Sequence, residues 1–75
     1  MTRTEVAEVL RDGVIADVRV KRGRRIRRAR VRVVKPLVGW SDVLHVVTLD
    51  GYQVGRLVAR DVVEARPVRP RSLAA

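Results

Sequence analysis

A chain of 75 residues with 17 Lys and Arg against 8 Asp and Glu carries a formal net charge of +9 and no cysteine, so neither a disulfide framework nor a thiolate zinc site can staple it. One small domain at most is allowed, and such a domain buries only about 60% of the surface its unfolded chain exposes, which leaves a thin stability margin. The apolar material is aliphatic, with 17 valines, no Phe, and Trp40 and Tyr52 as single representatives of their types, a β-branched richness that favours strands over helices.

Thr2 lies three residues before Glu5, the spacing of a capping box, and Val6, Val9 and Leu10 follow at helical intervals until Gly13. This predicts a short amphipathic helix over 4–11. So short a helix is marginal in water, and it must dock its apolar stripe on other structure.

From Val14 to Val20 the residues alternate, Val14, Ala16, Val18 and Val20 against Ile15, Asp17 and Arg19, which is the period of a half-buried strand. A turn is predicted at Lys21-Arg22-Gly23-Arg24 and a returning strand over 26–34, with Ala29, Val31 and Val33 inward and Arg28, Arg30 and Arg32 outward. Ile26 is out of phase with the inward set, which predicts a bulge or bend near Arg27. A helix over 22–34 is the alternative, since Ile26, Ala29 and Val33 also fit helical spacing; the Val31-Arg32-Val33-Val34 run opposes it.

Residues 35–42 hold Pro36, Gly39, Ser41 and Asp42 and read as a loop. Next, Val43 to Leu49 and Tyr52 to Val58 flank Asp50-Gly51, the dipeptide of a two-residue hairpin turn. That turn predicts Val47 opposite Val54, Val46 opposite Gly55, His45 opposite Arg56 and Leu44 opposite Leu57, with Leu49–Tyr52 and Thr48–Gln53 nearest the turn. Both faces of this hairpin are rich in apolar residues, so the second face is to be covered by the helix or by a second copy in a homodimer. Ala59-Arg60-Asp61 is a tight connector to a last strand over 62–65, and the Pro- and Arg-rich stretch 66–75 is expected to be disordered.

The predicted class is therefore mainly β with a short N-terminal helix, a single domain over 1–65 and a basic tail over 66–75. Four to five short antiparallel strands, a long early hairpin and a tight connector before the last strand resemble, over 14–65, the SH3-like small barrels. Val18-Arg19-Val20-Lys21-Arg22-Gly23 is also similar to the opening of the KOW motif of ribosomal and transcription-elongation proteins, without that motif's later glycines. No family is assigned on this basis.

The charge is localised. Between Arg19 and Lys35 stand ten basic residues (Arg19, Lys21, Arg22, Arg24, Arg25, Arg27, Arg28, Arg30, Arg32 and Lys35) and no acid, whereas the rest of the chain holds seven basic and eight acidic residues. A β-ribbon with arginines along it can enter the major groove or track phosphates, and each guanidinium offers phosphate a bidentate fork. These ten residues are the candidate nucleic-acid contacts. The opposing reading is a solvated charged face in an arginine- and valine-rich proteome.

Trp40, next to Gly39, either stacks on a base or anchors an interface, or closes the core as a lid; for the single Trp of a small domain the lid is expected. Tyr52 is expected to pack across the hairpin on Leu49. Ser41, Asp42 and His45 are too close in sequence to converge as a catalytic triad, a lone His without Cys makes no metal site, and no phosphate-binding glycine loop occurs. No catalytic residue, metal or cofactor is predicted.

The leading expectation is a non-enzymatic module that binds nucleic acid, duplex DNA ahead of RNA, because two aromatics supply little stacking platform for single strands. A structured-RNA or ribosome-associated role is the near alternative. A second class is a small adaptor or inhibitor whose basic face docks on an acidic protein, such as a nucleic-acid mimic or a component of transcription or replication machinery. No apolar run approaches the ~18 residues of a membrane span and no single helix joins an apolar face to the arginines, so a membrane partner is not expected and the chain is read as soluble and cytoplasmic.

Overall fold

The computed structural model describes residues 1–49 and 54–68. In chain order it comprises helix α1 (Arg3–Val9), strands β1 (Ile15–Arg22), β2 (Arg25–Lys35), β3 (Val43–Thr48) and β4 (Val54–Val58), a 3-10 turn (Ala59–Asp61) and strand β5 (Val62–Pro67). The five strands form one antiparallel sheet in the order β4-β3-β2-β1-β5. Among the described residues no helix is long and apolar enough to cross a membrane.

Helix α1 starts where its capping box requires: the Thr2 hydroxyl accepts from the Glu5 amide and the Glu5 carboxylate accepts from the Thr2 amide. Those bonds satisfy two amides that the first helical turn leaves without partners. They also hold the Glu5 carboxyl below its ordinary range, the Thr2 amide contributing most. The helix ends at Val9, and at Gly13 (φ 80°) the chain turns into the sheet, where the Gly13 amide donates to the Val33 carbonyl.

β1 and β2 pair without a register shift from Ile15–Arg32 to Arg22–Arg25. Alternation then sends Ala16, Val18, Val20, Val31 and Val33 to the core. No bulge occurs near Arg27, contrary to the expectation from Ile26. In unbroken register Ile26 falls opposite Lys21 on the outer face and is 49% exposed, accepting solvent because the hairpin has run past the core at that point. The register shifts lie elsewhere, between Val33 and Lys35 toward β3 and between Arg19 and Val20 toward β5. Residues 25–35 are strand, not helix.

The β3–β4 register is the expected one at Val47–Val54, Val46–Gly55, His45–Arg56 and Leu44–Leu57. The Asp50-Gly51 turn and the pairs Leu49–Tyr52 and Thr48–Gln53 lie outside the described residues, as does the proposed packing of Tyr52. β5 runs through Arg66 and Pro67, two residues beyond the expected strand end, with the Val68 amide donating to the Ile15 carbonyl. Residues 69–75 lie outside the described residues.

The sheet is not closed: β4 and β5 are its two edges and do not pair with each other, so the barrel expectation is not met. Its core face is instead covered by α1, which lies against β5 and the 3-10 turn. Val6 and Leu10, 0% and 1% exposed, join Leu44, Val46, Ala59 and Val62 in one core, with Val9 and Leu57 packed at its margin. The Leu44–Val46 face is thus buried within a single chain. Because the core among the described residues consists of Val, Leu and Ala, each large side chain counts: Leu10→Ala should cost about 2–5 kcal/mol by the usual cavity penalty, read as a large fall in melting temperature, while Ile26→Thr on the exposed ribbon should stay within about 0.5 kcal/mol.

Candidate nucleic-acid interface

The β1–β2 hairpin is longer than the sheet around it. β5 accompanies β1 only as far as Val20, and β3 accompanies β2 only from Val31, with one further bond from the Leu49 amide to the Arg30 carbonyl. Past those points, residues 21–29 form a two-stranded arm with no third strand among the described residues. From Arg30 to Arg25 it extends roughly 17 Å, at about 3.4 Å per residue. Its turn is Gly23-Arg24, with Gly23 at φ 59°, the positive value that both hairpin-type two-residue turns demand at their first position.

The ten expected contact residues fall into three groups. Arg19, Lys21, Arg28, Arg30, Arg32 and Lys35 share the outer face by register; Arg22, Arg25 and Arg27 project from the opposite face of the arm, beyond the core; Arg24 occupies the turn. All but Arg19 are exposed, and Arg19 is half-buried. The arm is therefore cationic on both faces and at its tip. Lys35 stands at the far end of β2, beside His45.

Where the arm joins the sheet, two acids enter the outer face. Across β5, β1 and β2 the rows read Arg66–Asp17–Arg30 and Glu64–Arg19–Arg28. Asp17 takes a two-pronged pair from Arg30, Nε to Oδ1 at 2.8 Å and Nη2 to Oδ2 at 3.2 Å. Glu64 bridges two arginines, accepting from Arg19 Nη1 at 3.2 Å and pairing with Arg66 Nε at 2.6 Å. Together Asp17, Arg19, Arg28, Arg30, Glu64 and Arg66 line an open depression of about 600 Å³. The Arg19 Nε–H is covered and has no acceptor. Arg28 has no ion-pair partner among the described residues. Sequence reading missed Asp17 and Glu64 as partners because both lie outside the basic run; the pairing of β5 with β1 brings Glu64 in.

Trp40 is fully exposed (101%), so it is not the core lid expected of it. The core is covered by α1 instead, through Val6 and Leu10. Trp40 instead tops a turn in which the Ser41 amide donates to the Val38 carbonyl and Gly39 has φ 55°. From α1, the Arg3 guanidinium donates to the Gly39 carbonyl (2.7 Å), the Ser41 carbonyl (2.8 Å) and Asp42 Oδ1 (3.1 Å). This turn and the tip of the arm lie at opposite ends of β2, separated by roughly 33 Å over its length. Ser41 and Asp42 are spent on this scaffold, the hydroxyl of Ser41 on the Val43 backbone and the carboxylate of Asp42 on Arg3.

Compared with protein-family models, curated proteins and solved structures, the chain matches none of them.

Two outcomes follow from these contacts. The Arg30 hydrogen bonds hold the Asp17 carboxyl below its ordinary value; a depressed folded-state pKa contributes stability above the unfolded value, about 3.9, and loses it as pH falls through the folded one. The melting-temperature advantage of wild type over Asp17→Asn should thus be full above about pH 5 and fade below about pH 4. Trp40→Ala should leave the melt within about 0.5 kcal/mol of wild type, and the indole fluorescence of the native protein should be solvent-like and fully open to acrylamide quenching.

Proposed function

We propose that this protein is a non-enzymatic, cytoplasmic nucleic-acid-binding module whose β1–β2 arm inserts into a groove of duplex DNA. The observation that carries the reading is the two-sided charge of the arm. A ribbon basic on one face would suit a flat anionic surface; cations on both faces and at the tip suit a slot walled by phosphates on either side. The B-form major groove, about 12 Å wide, admits a two-stranded ribbon, whereas the A-form major groove of RNA is deep and narrow. Lys21 and Arg28 then face one wall, Arg22, Arg25 and Arg27 the other, and Arg24 leads. The strand order, with β5 beside β1 after a 3-10 turn, also supports reading the fold as an unclosed variant of the SH3-like small barrel.

A second reading is favoured by one observation, the fully exposed Trp40 on a turn tied down by Arg3. An aromatic held rigid before contact loses little entropy on binding and is the usual anchor of a protein interface. In this reading the protein is an adaptor that presents Trp40 to a protein partner at the end away from the arm.

Fluorescence anisotropy with labelled duplex DNA, single strand and RNA side by side tests the main reading. With some four to six phosphates neutralised, log K against log salt for duplex should fall with a slope of about −3.6 to −5.4. Replacing Arg22, Arg24, Arg25 and Arg27 together by Ala should flatten that slope by up to about 3.6 with an unchanged melt, since all four side chains are exposed. Replacing Arg56 and Arg60 should do much less. Wild-type affinity in the fourfold variant would remove the arm from the interface.

A further inference from the structure

The charges at the root of the arm alternate, and one of them is of the wrong sign. Taking β5, β1 and β2 in turn, the first outer-face row is Arg66, Asp17, Arg30, plus-minus-plus; in the next, Glu64 and Arg19 invert it, minus-plus. Continued alternation calls for an acid at position 28. Arg28 stands there, directly across from Arg19 and two residues before Arg30 on the same face of β2. Side chains paired in this way have Cβ atoms about 4.5–5.5 Å apart, and like charges so placed repel. Among the described residues, the two acids within reach are already engaged: Asp17 with Arg30, Glu64 with Arg19 and Arg66. Among the described residues nothing engages the Arg28 guanidinium fork, which is left for another acceptor.

We propose that Arg28 and Arg19 form a phosphate-binding site in the depression at the root of the arm. The ligand supplies the negative charge that the alternation calls for: a tetrahedral phosphate oxygen pair meets the Arg28 fork, and its remaining charge offsets the Arg28–Arg19 repulsion. This deepens the nucleic-acid reading and rests on it for the source of the phosphate, a backbone group of the strand flanking the groove that the arm enters. Lysine would serve poorly at position 28, because the fork and not only the charge is used. The site is open to solvent along one side, as a phosphodiester that continues in both directions requires.

Completing the alternation should therefore help the fold and harm the binding. In chloride, Arg28→Glu should melt about 2–5 °C above wild type, since it replaces a repulsive cross-strand pair by an attractive one in a domain where small energies move the melt by several degrees. In sodium phosphate at the same ionic strength, wild type and the charge-matched control Arg60→Glu should rise further than Arg28→Glu and Arg28→Ala, which separates a specific site from the general salting effect of phosphate. On duplex DNA, Arg28→Ala should flatten the salt slope by about 0.9. If Arg28→Glu melts below wild type, or if phosphate raises both position-28 variants as much as wild type, the proposal is overturned even where the wild type binds DNA. A wild-type phosphate response lost in both variants, with no binding of DNA or RNA, would uphold the site and assign it to a free phosphate instead, removing the nucleic-acid reading alone.

Discussion

The pairing of β1 with β2 over eight consecutive residue pairs, without a slip, is the constraint on which the rest of the molecule depends. A one-residue shift on either strand would exchange its two faces, sending Val31 and Val33 to solvent and Arg30 and Arg32 inward. In the native register, one side of the hairpin supplies Ala16, Val18, Val20, Val31 and Val33 to a core that, among the described residues, has no aromatic side chain, and the other side collects cations. Burial of the valines sets the register. The distribution of charge follows from it.

That core is one-sided and small, and its lid is a helix of seven residues that could not persist alone. Val6 and Leu10 give the helix its anchorage, while Arg3, at its first turn, reaches three acceptors in the 39–42 turn. The lid thus joins the N-terminal segment to the turn that displays Trp40. Covering the core face this way leaves the indole unused by the core, and the sheet edges β4 and β5 are unpaired with each other. A barrel is not needed to shield the valines once the helix covers them.

The outer face divides by the reach of its neighbours. Where β5 flanks β1, Glu64 and Asp17 tie up Arg19, Arg30 and Arg66; past Val20, among the described residues, no acid offsets the charge of the Lys21 to Arg28 ribbon. The exposed pairs contribute little to stability. Their consequence is spatial: they leave Arg28, at the boundary between the paired root and the arm, as a guanidinium among cations.

Much of this was legible in the residues themselves. The capping box, the alternation of β1 and β2, the registers of the 43–58 hairpin away from its turn and the connector at 59–61 are all local patterns, written in spacings of two, three or four residues. The basic run 19–35 was equally plain. What the sequence could not decide depended on how far neighbouring strands extend and on which of several candidates covers the core. Ile26 looked like a misfit that needed a bulge, because its exposure is tolerated only where the hairpin outruns the sheet. Trp40 looked like a lid, because nothing local reveals that α1 already fills that role. The partner of Arg19 depends on β5 lying beside β1, since Glu64 lies 45 positions from Arg19 in the chain and meets it through tertiary pairing, whereas Asp17 meets Arg30 across the β1–β2 hairpin itself. Local alternation determined which face each arginine occupies; the placing of β5 beside β1 decided that Glu64 answers Arg19 and leaves Arg28 without an acid among the described residues.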